Sequence, residues 1–346
     1  MGRHVIVGAG PVGRATAEHL LRLGYEVRMI TRSGSGPDGV ERVAADATDV
    51  DRLTSLAAGA DALYNCANPP YHRWPQLWPP LARALLTAAE RSGAVLVTMS
   101  NLYGYGEVDG PITEETPLAA TAPKLKVRAD MWREALAAHQ AGRVRVTEAR
   151  ASDFIGPDAR SLLTTMVLPR VRRGQPVSVP ANLDVPHSFT YTGDVGATLA
   201  TLGTDPRALG RAWHVPTAPA LTLRELARRY AALVGAPEPR LRTMSGAMLR
   251  LGALFSTEAR EFRKVRYQYQ RPWVIDSSAA QETFGLTPTP IDDALRSLVC
   301  RRRQSDAGPR PNVGLAAGHC PRCLTRSRRS DGDPVVGPGP VGCCAA

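Results

Sequence analysis

Short apolar runs alternate with amphipathic helical patterns over the first 150 residues. The apolar run 5–7 is typical of a buried strand, and the spacing of Ala17, Leu20, Leu21 and Gly24 predicts a helix after it. Further strands are predicted over 25–31, 60–66, 95–99 and 146–150, and a further helix over 81–91. Because alternating strands and helices build a parallel sheet covered on both faces, the pattern predicts a doubly wound α/β fold of the Rossmann type.

The pattern becomes mixed beyond Ala151. It predicts a helix over 162–172, a strand over 211–215 and a helix over 222–234, with Thr222 and Glu225 forming a capping box. We therefore expect a dinucleotide-binding core over residues 1–150 and a smaller C-terminal substrate lobe over residues 151–300, interleaved with the core.

Residues 301–346 differ from the body in composition. They contain seven Gly, six Pro and few large apolar residues, so we expect a disordered tail. Five of the six cysteines lie from Cys300 onward, and His319, Cys320 and Cys323 resemble half of a zinc site. No second Cys/His pair accompanies them, so we expect neither a disulfide framework nor a bound metal.

The formal net charge is +11, of which eight Arg and three Asp from Cys300 onward supply +5. The remaining charge is ordinary for a protein that binds a phosphorylated cofactor, and it argues against a nucleic-acid partner. No apolar run approaches the roughly 20 residues of a membrane span. The strand pattern begins almost at the N-terminus, without a secretory signal, and we expect a cytoplasmic protein without membrane contact.

A glycine-rich turn follows the first predicted strand: Gly8-Ala9-Gly10-Pro11-Val12-Gly13. Gly8 permits a tight turn, Gly10 leaves room for a pyrophosphate, and Gly13 allows the helix to pack closely on the strand. The helix beginning at Pro11 and Val12 would offer backbone N–H groups and a positive dipole to phosphates. This turn predicts a dinucleotide site.

The end of the second predicted strand bears on the ribose of that dinucleotide. An acidic residue there would bind the 2′-hydroxyl of NAD, whereas an arginine suits the 2′-phosphate of NADP. The chain has Arg32 between Thr31 and Ser33. We therefore favour NADP(H), with NAD as the alternative.

The order of these and later motifs resembles the extended short-chain dehydrogenase/reductase superfamily, in the group of NAD-dependent epimerases and dehydratases. The resemblance implies that Asp46 binds the adenine and that Asn65, Cys66 and Ala67 line a strand end beneath the cofactor. It implies a structural role for Asp194, and it allows a homodimer. The segments that carry it are 44–46, 65–67, 98–104, 191–195, 221–226 and 273–276.

The superfamily uses a Tyr-x-x-x-Lys pair, in which the tyrosine is the acid or base and the lysine lowers its pKa. In this chain Lys126 fits the lysine position, with Asp130 four residues on, and this places Ala122 where the tyrosine belongs. Lys124 and Arg128 are alternative alignments of the base, and neither restores a tyrosine.

Other side chains are candidates for the chemistry. Ser100 is the candidate for the catalytic hydroxyl, with Thr98 as the alternative, and Tyr103 is a candidate acid. Further candidates near the nicotinamide are Tyr105 and, in a proline-rich loop, Tyr71, His72, Trp74 and Trp78.

Two functions compete at this point. The first is an NAD(P)-dependent oxidoreductase or epimerase acting on a small carbonyl or sugar-type substrate. The second is a non-catalytic NADP(H)-binding sensor, which the alanine at position 122 favours.

Overall fold

The structure is a computed structural model and describes residues 2–245, 248, 262 and 264–306. The first half begins with strand β1 (Arg3–Val7), helix α1 (Pro11–Arg22), and strands β2 (Glu26–Thr31) and β3 (Glu41–Ala44). It continues with α2 (Val50–Ala57), β4 (Ala62–Asn65), α3 (Trp74–Ser92), β5 (Val95–Asn101), α4 (Pro123–Gln140) and β6 (Val146–Ala151).

The second half consists of shorter elements. They begin with β7 (Asp153–Ile155), a π-helical turn (Leu163–Val167), α5 (Leu168–Arg172), β8 (Val177–Val179), β9 (Phe189–Tyr191) and α6 (Thr192–Thr204). The later ones are β10 (Ala212–His214), α7 (Leu223–Val234), β11 (Leu241–Thr243), a 3₁₀ turn (Arg266–Tyr269), α8 (Ser278–Phe284) and α9 (Ile291–Asp306).

Seven parallel strands form the central sheet, in the order β10-β6-β5-β4-β1-β2-β3. The predicted Rossmann-type fold is confirmed. Val7 pairs with Asn65 and Asn65 with Thr98, so the ends of β1, β4 and β5 lie at one edge. In doubly wound sheets, ligands bind outside this carboxyl edge, and the glycine-rich turn follows β1 at that edge.

Both faces of the sheet are covered by apolar side chains from helices. One core includes Trp78, Leu85 and Trp132 from α3 and α4. The opposite core includes Leu20 of α1 and Leu199 of α6. Strands β1, β4 and β5 are buried on both sides, as their apolar runs indicate, whereas edge strand β3 is largely exposed.

The second half contributes to the sheet and also forms a separate cluster. Strand β10 pairs with β6 at the sheet edge, while residues such as Leu163, Phe189 and Leu226 make a third apolar core. Thr222 caps α7 and accepts a hydrogen bond from the backbone N–H of Glu225, while the Glu225 carboxylate accepts one from the N–H of Thr222 at 2.9 Å. The predicted capping box is confirmed.

Two predicted boundaries differ from the observed ones. Helix α3 begins at Trp74, so Trp74 and Trp78 lie on a helix rather than in a loop, while Tyr71 and His72 form the preceding 3₁₀ turn. Proline is tolerated in the first helical turn because the N–H it lacks has no partner there, and α3 begins with Pro75 in this position. Helix α9 extends to Asp306, six residues into the segment predicted as tail, and the rest of that segment lies outside the described residues.

Candidate functional site

The glycine-rich turn places each glycine in a different environment. Gly8 has a φ of +107°, and a β-carbon on it would lie 2.7 Å from the carbonyl oxygen of Cys66. A β-carbon on Gly13 would collide with the carbonyl oxygen of Gly8. A β-carbon on Gly10 would meet nothing within 4 Å. Gly8 and Gly13 are thus required by the fold itself, whereas Gly10 borders open space in which a pyrophosphate fits.

Helix α1 begins directly at this open space. Gly10 is its N-cap and provides no side-chain hydrogen bond, and its carbonyl oxygen accepts from the N–H of Arg14 at 3.0 Å. The first N–H groups of a helix, here those of Val12 and Gly13, have no partner within the helix. The turn therefore offers the backbone donors and the dipole that an anionic group requires.

Arg32 and Asp46 lie at the ends of neighbouring strands. Arg32 follows β2 and is exposed, and Asp46 follows β3. Asp46 accepts hydrogen bonds from the N–H and the hydroxyl of Thr48, which lower the pKa of its carboxyl, and the charge of Arg32 lowers it further. The two side chains are close enough for electrostatic interaction at the edge where a ribose phosphate would lie.

The end of β4 lies beneath the glycine turn. Asn65 is buried, and its Oδ1 has no hydrogen-bond partner among the described residues. Cys66 and Ala67 reach the surface of a cavity that also includes Val12. Burial raises the pKa of the Cys66 thiol to about 12, so Cys66 stays protonated and is a poor nucleophile.

That cavity has a volume of about 1020 Å³ and follows the carboxyl edge of the sheet from the glycine turn. Ser100 and Tyr103 line it, whereas Thr98 does not and instead borders a small void between α3 and α4. The side chains at the carboxyl end of β5 are thus the ones that reach the cavity. Ser100 is better placed than Thr98 to meet a bound substrate.

An aromatic wall, which we define as Tyr71, Trp74, Trp78 and Tyr103, forms one side of this cavity. The ring centroids of Trp74 lie 4.9 Å from Tyr71 and 5.9 Å from Tyr103. The Trp74 indole N–H donates to the carbonyl oxygen of Pro69 at 3.0 Å, which fixes the wall to the chain after β4. Burial raises the pKa of Tyr103 well above its usual value, so its phenol stays neutral at physiological pH.

Helix α4 presents its charged residues differently from the sequence prediction. Lys126, which fits the lysine position of the motif, is half exposed and forms an ion pair with Asp130 at 2.6 Å, so its ammonium points away from the inner face of α4. Lys124 and Arg128, one helical turn apart, are buried on the inner face. Because residues four apart share a helix face and residues two apart do not, the inward pair excludes Lys126.

Arg128 is the cation that reaches the cavity from this helix. Its Nη2 donates to the carbonyl oxygen of Met99 at 2.5 Å, and its guanidinium lies 4.4 Å from the ring centroid of Trp78. Burial lowers the pKa of Arg128 to about 10, which leaves it charged at neutral pH. Lys124 lies 3.0 Å above the ring of Tyr71 and occupies the position four residues before Arg128. Ala122 is the N-cap of α4 and lies outside this arrangement.

Tyr105 belongs to a buried network away from the cavity. Its hydroxyl donates to Nε2 of His214 at 2.7 Å and accepts from Arg150 at 2.8 Å. Burial raises the pKa of Tyr105 to about 12 against the opposing effect of Arg150. Arg150 in turn pairs with Glu148 at 2.7 Å. The network holds β5, β6 and β10 together, so we no longer consider Tyr105 a candidate acid.

Asp153 is an acidic residue at the cavity that was not among the candidates predicted from the sequence. It follows β6, lines the cavity, accepts a hydrogen bond from the Tyr269 hydroxyl, and lies 3.1 Å from Nε2 of His187. A polar residue directly after a buried strand, at the carboxyl edge of a parallel sheet, is the signal that would have identified it. Asp194, in contrast, accepts hydrogen bonds from the N–H and hydroxyl of Thr289 and joins α6 to the segment before α9.

The described residues contain neither a cluster of metal-ligating side chains nor a membrane-spanning helix. No group of three or more His, Cys, Asp or Glu side chains there is arranged to hold a metal ion, and the Cys320 region falls outside those residues. None of the helices within the described ranges is long and apolar enough to cross a membrane.

Known structures share this fold over most of the chain. A dTDP-glucose 4,6-dehydratase from Bacillus anthracis, solved with NAD, is 16% identical with a TM-score of 0.71, over 89% of this chain and 98% of that one. UDP-glucose 4-epimerase from Thermotoga maritima, solved with UDP-glucose, is 15% identical with a TM-score of 0.70, over 88% and 99%.

Sequence comparison gives one partial relative and one family. Shikimate dehydrogenase (NADP(+)) from Haloarcula marismortui is 41% identical over 69 residues, and this chain spans only 26% of its length. The model of the NAD dependent epimerase/dehydratase family matches residues 4–215. That span includes the glycine turn, the strand ends and most of the residues that line the cavity. The chain belongs to the NAD-dependent epimerase/dehydratase family.

Proposed function

We propose that the protein is an NAD(P)-dependent oxidoreductase or epimerase that acts on a small carbonyl or sugar-type substrate. The observation that carries this proposal is a single cavity that joins Val12 at the glycine turn to Ser100, Tyr103 and Arg128. A dinucleotide on the turn would reach the same cavity as a substrate. Large, mostly apolar pockets with a few convergent polar groups are the usual form of such sites.

The cofactor, when bound, supplies a hydride acceptor or donor. The residues that would hold it are Gly8, Gly10, Val12 and Gly13 at the pyrophosphate, Asp46 at the adenine, and Asn65 and Ala67 at the end of β4. Arg128 takes the place that the sequence analysis gave to Lys126, near the nicotinamide ribose. Its fixed hydrogen bond to Met99 would leave its other guanidinium N–H groups for the ligand.

We favour NADP(H) because Arg32 is exposed and carries no acidic residue beside it in sequence. A planar guanidinium is well suited to the 2′-phosphate of NADP. The partial relative is named for NADP(+), and several solved neighbours hold NAD. Both cofactors therefore belong in the first binding experiment.

A sugar-type substrate is suggested by the structural neighbours, which include a dTDP-glucose 4,6-dehydratase and proteins solved with UDP-glucose. The aromatic wall offers flat apolar faces of the kind that pack against a ring. The cavity, at about 1020 Å³, lies at the upper end of the usual range for ligand pockets.

The test is a turnover screen on the full chain. The protein is incubated with NADPH or NADH and a panel of aldehydes, α-keto acids and nucleoside-diphosphate sugars, and cofactor oxidation is followed by absorbance. We expect turnover of at least one carbonyl compound, lost in Arg128→Met and retained in Lys126→Met. Tight cofactor binding without turnover across the panel would contradict the enzyme proposal.

That last result would support the second candidate, a non-catalytic NADP(H)-binding sensor. The observation in its favour is that Lys124, rather than a tyrosine, lies one turn before Arg128 on the inner face of α4. A cytoplasmic location and a homodimer remain predictions from the sequence and the resemblance. Sedimentation equilibrium tests the homodimer.

A further inference from the structure

A hydrogen-bonded pair, Asp153 and His187, lies at the wall of the cavity and close to Tyr103. Oδ2 of Asp153 lies 3.1 Å from Nε2 of His187, and the hydroxyl of Tyr269 donates to the same oxygen. His187 is 2% exposed and stacks on Tyr269 with ring centroids 4.8 Å apart and an interplanar angle of 5°. Asp153 is the member of this group that lines the cavity.

The partners of His187 decide its protonation. Nδ1 lies 3.1 Å from the carbonyl oxygen of Gln268, which accepts hydrogen bonds and cannot donate one. Nδ1 must therefore carry a proton. Nε2 faces Oδ2 of Asp153, which already accepts from Tyr269 and so has the environment of a carboxylate. We infer that Asp153 is the acceptor in this contact as well, so that both ring nitrogens of His187 carry a proton and the imidazolium pairs with the Asp153 carboxylate.

His214 provides a contrast within the same molecule. Its Nδ1 lies 2.7 Å from the carbonyl oxygen of Asp276 and must donate, whereas its Nε2 accepts from the hydroxyl of Tyr105 at 2.7 Å. Burial lowers the pKa of His214 to about 4, so His214 is neutral near pH 7 and its Nε2 accepts from the Tyr105 hydroxyl. His214 is therefore neutral with the proton on Nδ1, and the chain buries two histidines of opposite charge state.

We propose that Asp153 and His187 form the proton donor for carbonyl reduction and replace the tyrosine that α4 lacks. The assignment rests on the proposed function. When bound, reduced NAD(P)H would supply the hydride for the carbonyl carbon and would leave as the oxidised cofactor. The proton of His187 Nε2 would pass through Asp153 to the carbonyl oxygen, which would become a hydroxyl. Solvent would then return a proton to neutral His187 through Asp153, the member of the pair that lines the cavity. Asp153 is the catalytic residue, and His187 is the positioned proton source.

The surroundings of the pair favour this direction. The titratable groups near the pair are the phenols of Tyr269, Tyr103 and Tyr71. Tyr103 and Tyr269 both interact electrostatically with Asp153, and Tyr71 interacts with both of these tyrosines. Burial raises the pKa of Tyr103 and of Tyr269 well above the usual value, so these phenols stay neutral and do not compete as acids near pH 7. Asp153 is thus the group at this part of the cavity that is connected to a stored proton.

The charge state is tested without any ligand. The protein is labelled with ¹⁵N-histidine, and the ring nitrogens of His187 are assigned by loss of their signals in His187→Gln. We expect both nitrogens of His187 to be protonated at pH 7, while His214 shows one protonated and one bare nitrogen. In Asp153→Asn, His187 should become neutral. A neutral His187 in the unaltered protein would overturn the proposal.

The catalytic role is tested with NADPH and any carbonyl compound that the turnover screen identifies. We expect Asp153→Asn and His187→Gln to lower kcat by about 100-fold or more, the range for a lost general acid, with the Kd for NADPH unchanged within about twofold. Tyr269→Phe should lower kcat less than the two pair variants do. Tyr267→Phe, which removes a hydroxyl group from the same 3₁₀ turn, should leave kcat unchanged. An unchanged kcat in both pair variants would overturn the donor role.

Failure of the proposed function would look different. If no carbonyl compound is turned over, the enzyme proposal fails and the donor role fails with it, whatever the state of His187. If turnover occurs and the pair variants retain it, only the donor role fails. A loss of kcat in Asp153→Asn or His187→Gln counts only if the variant keeps the melting temperature and the NADPH affinity of the parent protein. If one of the two variants does not fold, the other still tests the donor role.

Discussion

Nη2 of Arg128 lies 2.5 Å from the carbonyl oxygen of Met99, so helix α4 holds a buried guanidinium at the end of β5. The Lys126 ammonium, two residues earlier on the same helix, points outward to Asp130. The position of these two cations decides which residue of α4 can meet a cofactor or substrate.

We expect Arg128→Met to raise the Kd for NADPH about tenfold or more. A hydrogen bond to a charged group contributes on the order of 1.5–3 kcal/mol, and about 1.4 kcal/mol corresponds to a factor of ten in Kd. Lys126→Met is the matched control on the same helix and should leave the Kd within about twofold. Equal effects of the two substitutions, measured by calorimetric titration, would refute the placement of Arg128 at the ligand.

The glycines of the turn should separate stability from binding. Gly13→Ala places a methyl group against the carbonyl oxygen of Gly8 and should lower the melting temperature by several degrees. Gly10→Ala meets nothing within 4 Å and should leave the melting temperature unchanged, because its methyl group enters open space. The same methyl group would occupy the pyrophosphate position and should weaken NADPH binding by tenfold or more.

A thermal unfolding scan and a titration of each variant check this separation. If Gly10→Ala binds NADPH as tightly as the parent protein, the open space above Gly10 is not the pyrophosphate site.

The carboxyl edge was predictable because strand periodicity and the glycine spacing are local properties. The run at residues 5–7 and the turn from Gly8 to Gly13 fixed β1, the start of α1 and the edge at which a ligand binds. The orientation of α4 was not, because Lys124, Lys126 and Arg128 alternate along one helix whose inner face depends on tertiary packing. An alignment by Lys126 alone selects the outer face of this helix, where Lys126 pairs with Asp130.

The Asp153–His187 pair was out of reach for a related reason. Its two members lie 34 residues apart in sequence, and Tyr269 lies 116 residues from Asp153. The position of Asp153 after β6 is a local signal for a residue at the carboxyl edge, but its pairing with His187 and Tyr269 depends on tertiary contacts. In helix α3 the local signal pointed to the wrong structure. Prolines such as Pro79 and Pro80 favour a loop locally, whereas burial of Trp74 and Trp78 stabilises a helix through that segment.

Arg32 should determine the choice between the two cofactors. We expect Arg32→Ala to weaken NADPH binding by about tenfold and to leave NADH binding unchanged, because only NADPH carries the 2′-phosphate. Arg91→Ala, which removes an exposed cation on α3 that pairs with Asp51, controls for the loss of net charge. Equal losses of affinity for both cofactors would show that Arg32 acts on a feature they share.

His214 should make the stability of the fold depend on pH. Burial lowers the pKa of His214 from 6.5 to about 4, so between these values the unfolded chain binds a proton that the folded chain does not. The free energy of unfolding should therefore be highest above pH 6.5 and fall as the pH drops, by on the order of 3 kcal/mol at about 1.4 kcal/mol per unit.

Urea unfolding at several pH values measures this contribution. His214→Asn should be less stable near pH 7, and its stability should fall less steeply between pH 6.5 and 4 than that of the parent protein. His72→Asn, at an exposed position, should keep the parent slope. An unchanged slope in His214→Asn would mean that another group controls the acid response.

The most direct test of dinucleotide binding uses the fluorescence of tryptophans that line the cavity. Trp74 and Trp78 line the space that a nicotinamide would enter from the glycine turn, so bound NADPH should quench their emission and accept energy from them. We expect saturable quenching by NADPH at one equivalent per chain, with tighter binding than NADH and at least tenfold weaker binding in Gly10→Ala. A parent protein that shows no saturable response to either cofactor, by this signal and by calorimetry, would contradict the central claim.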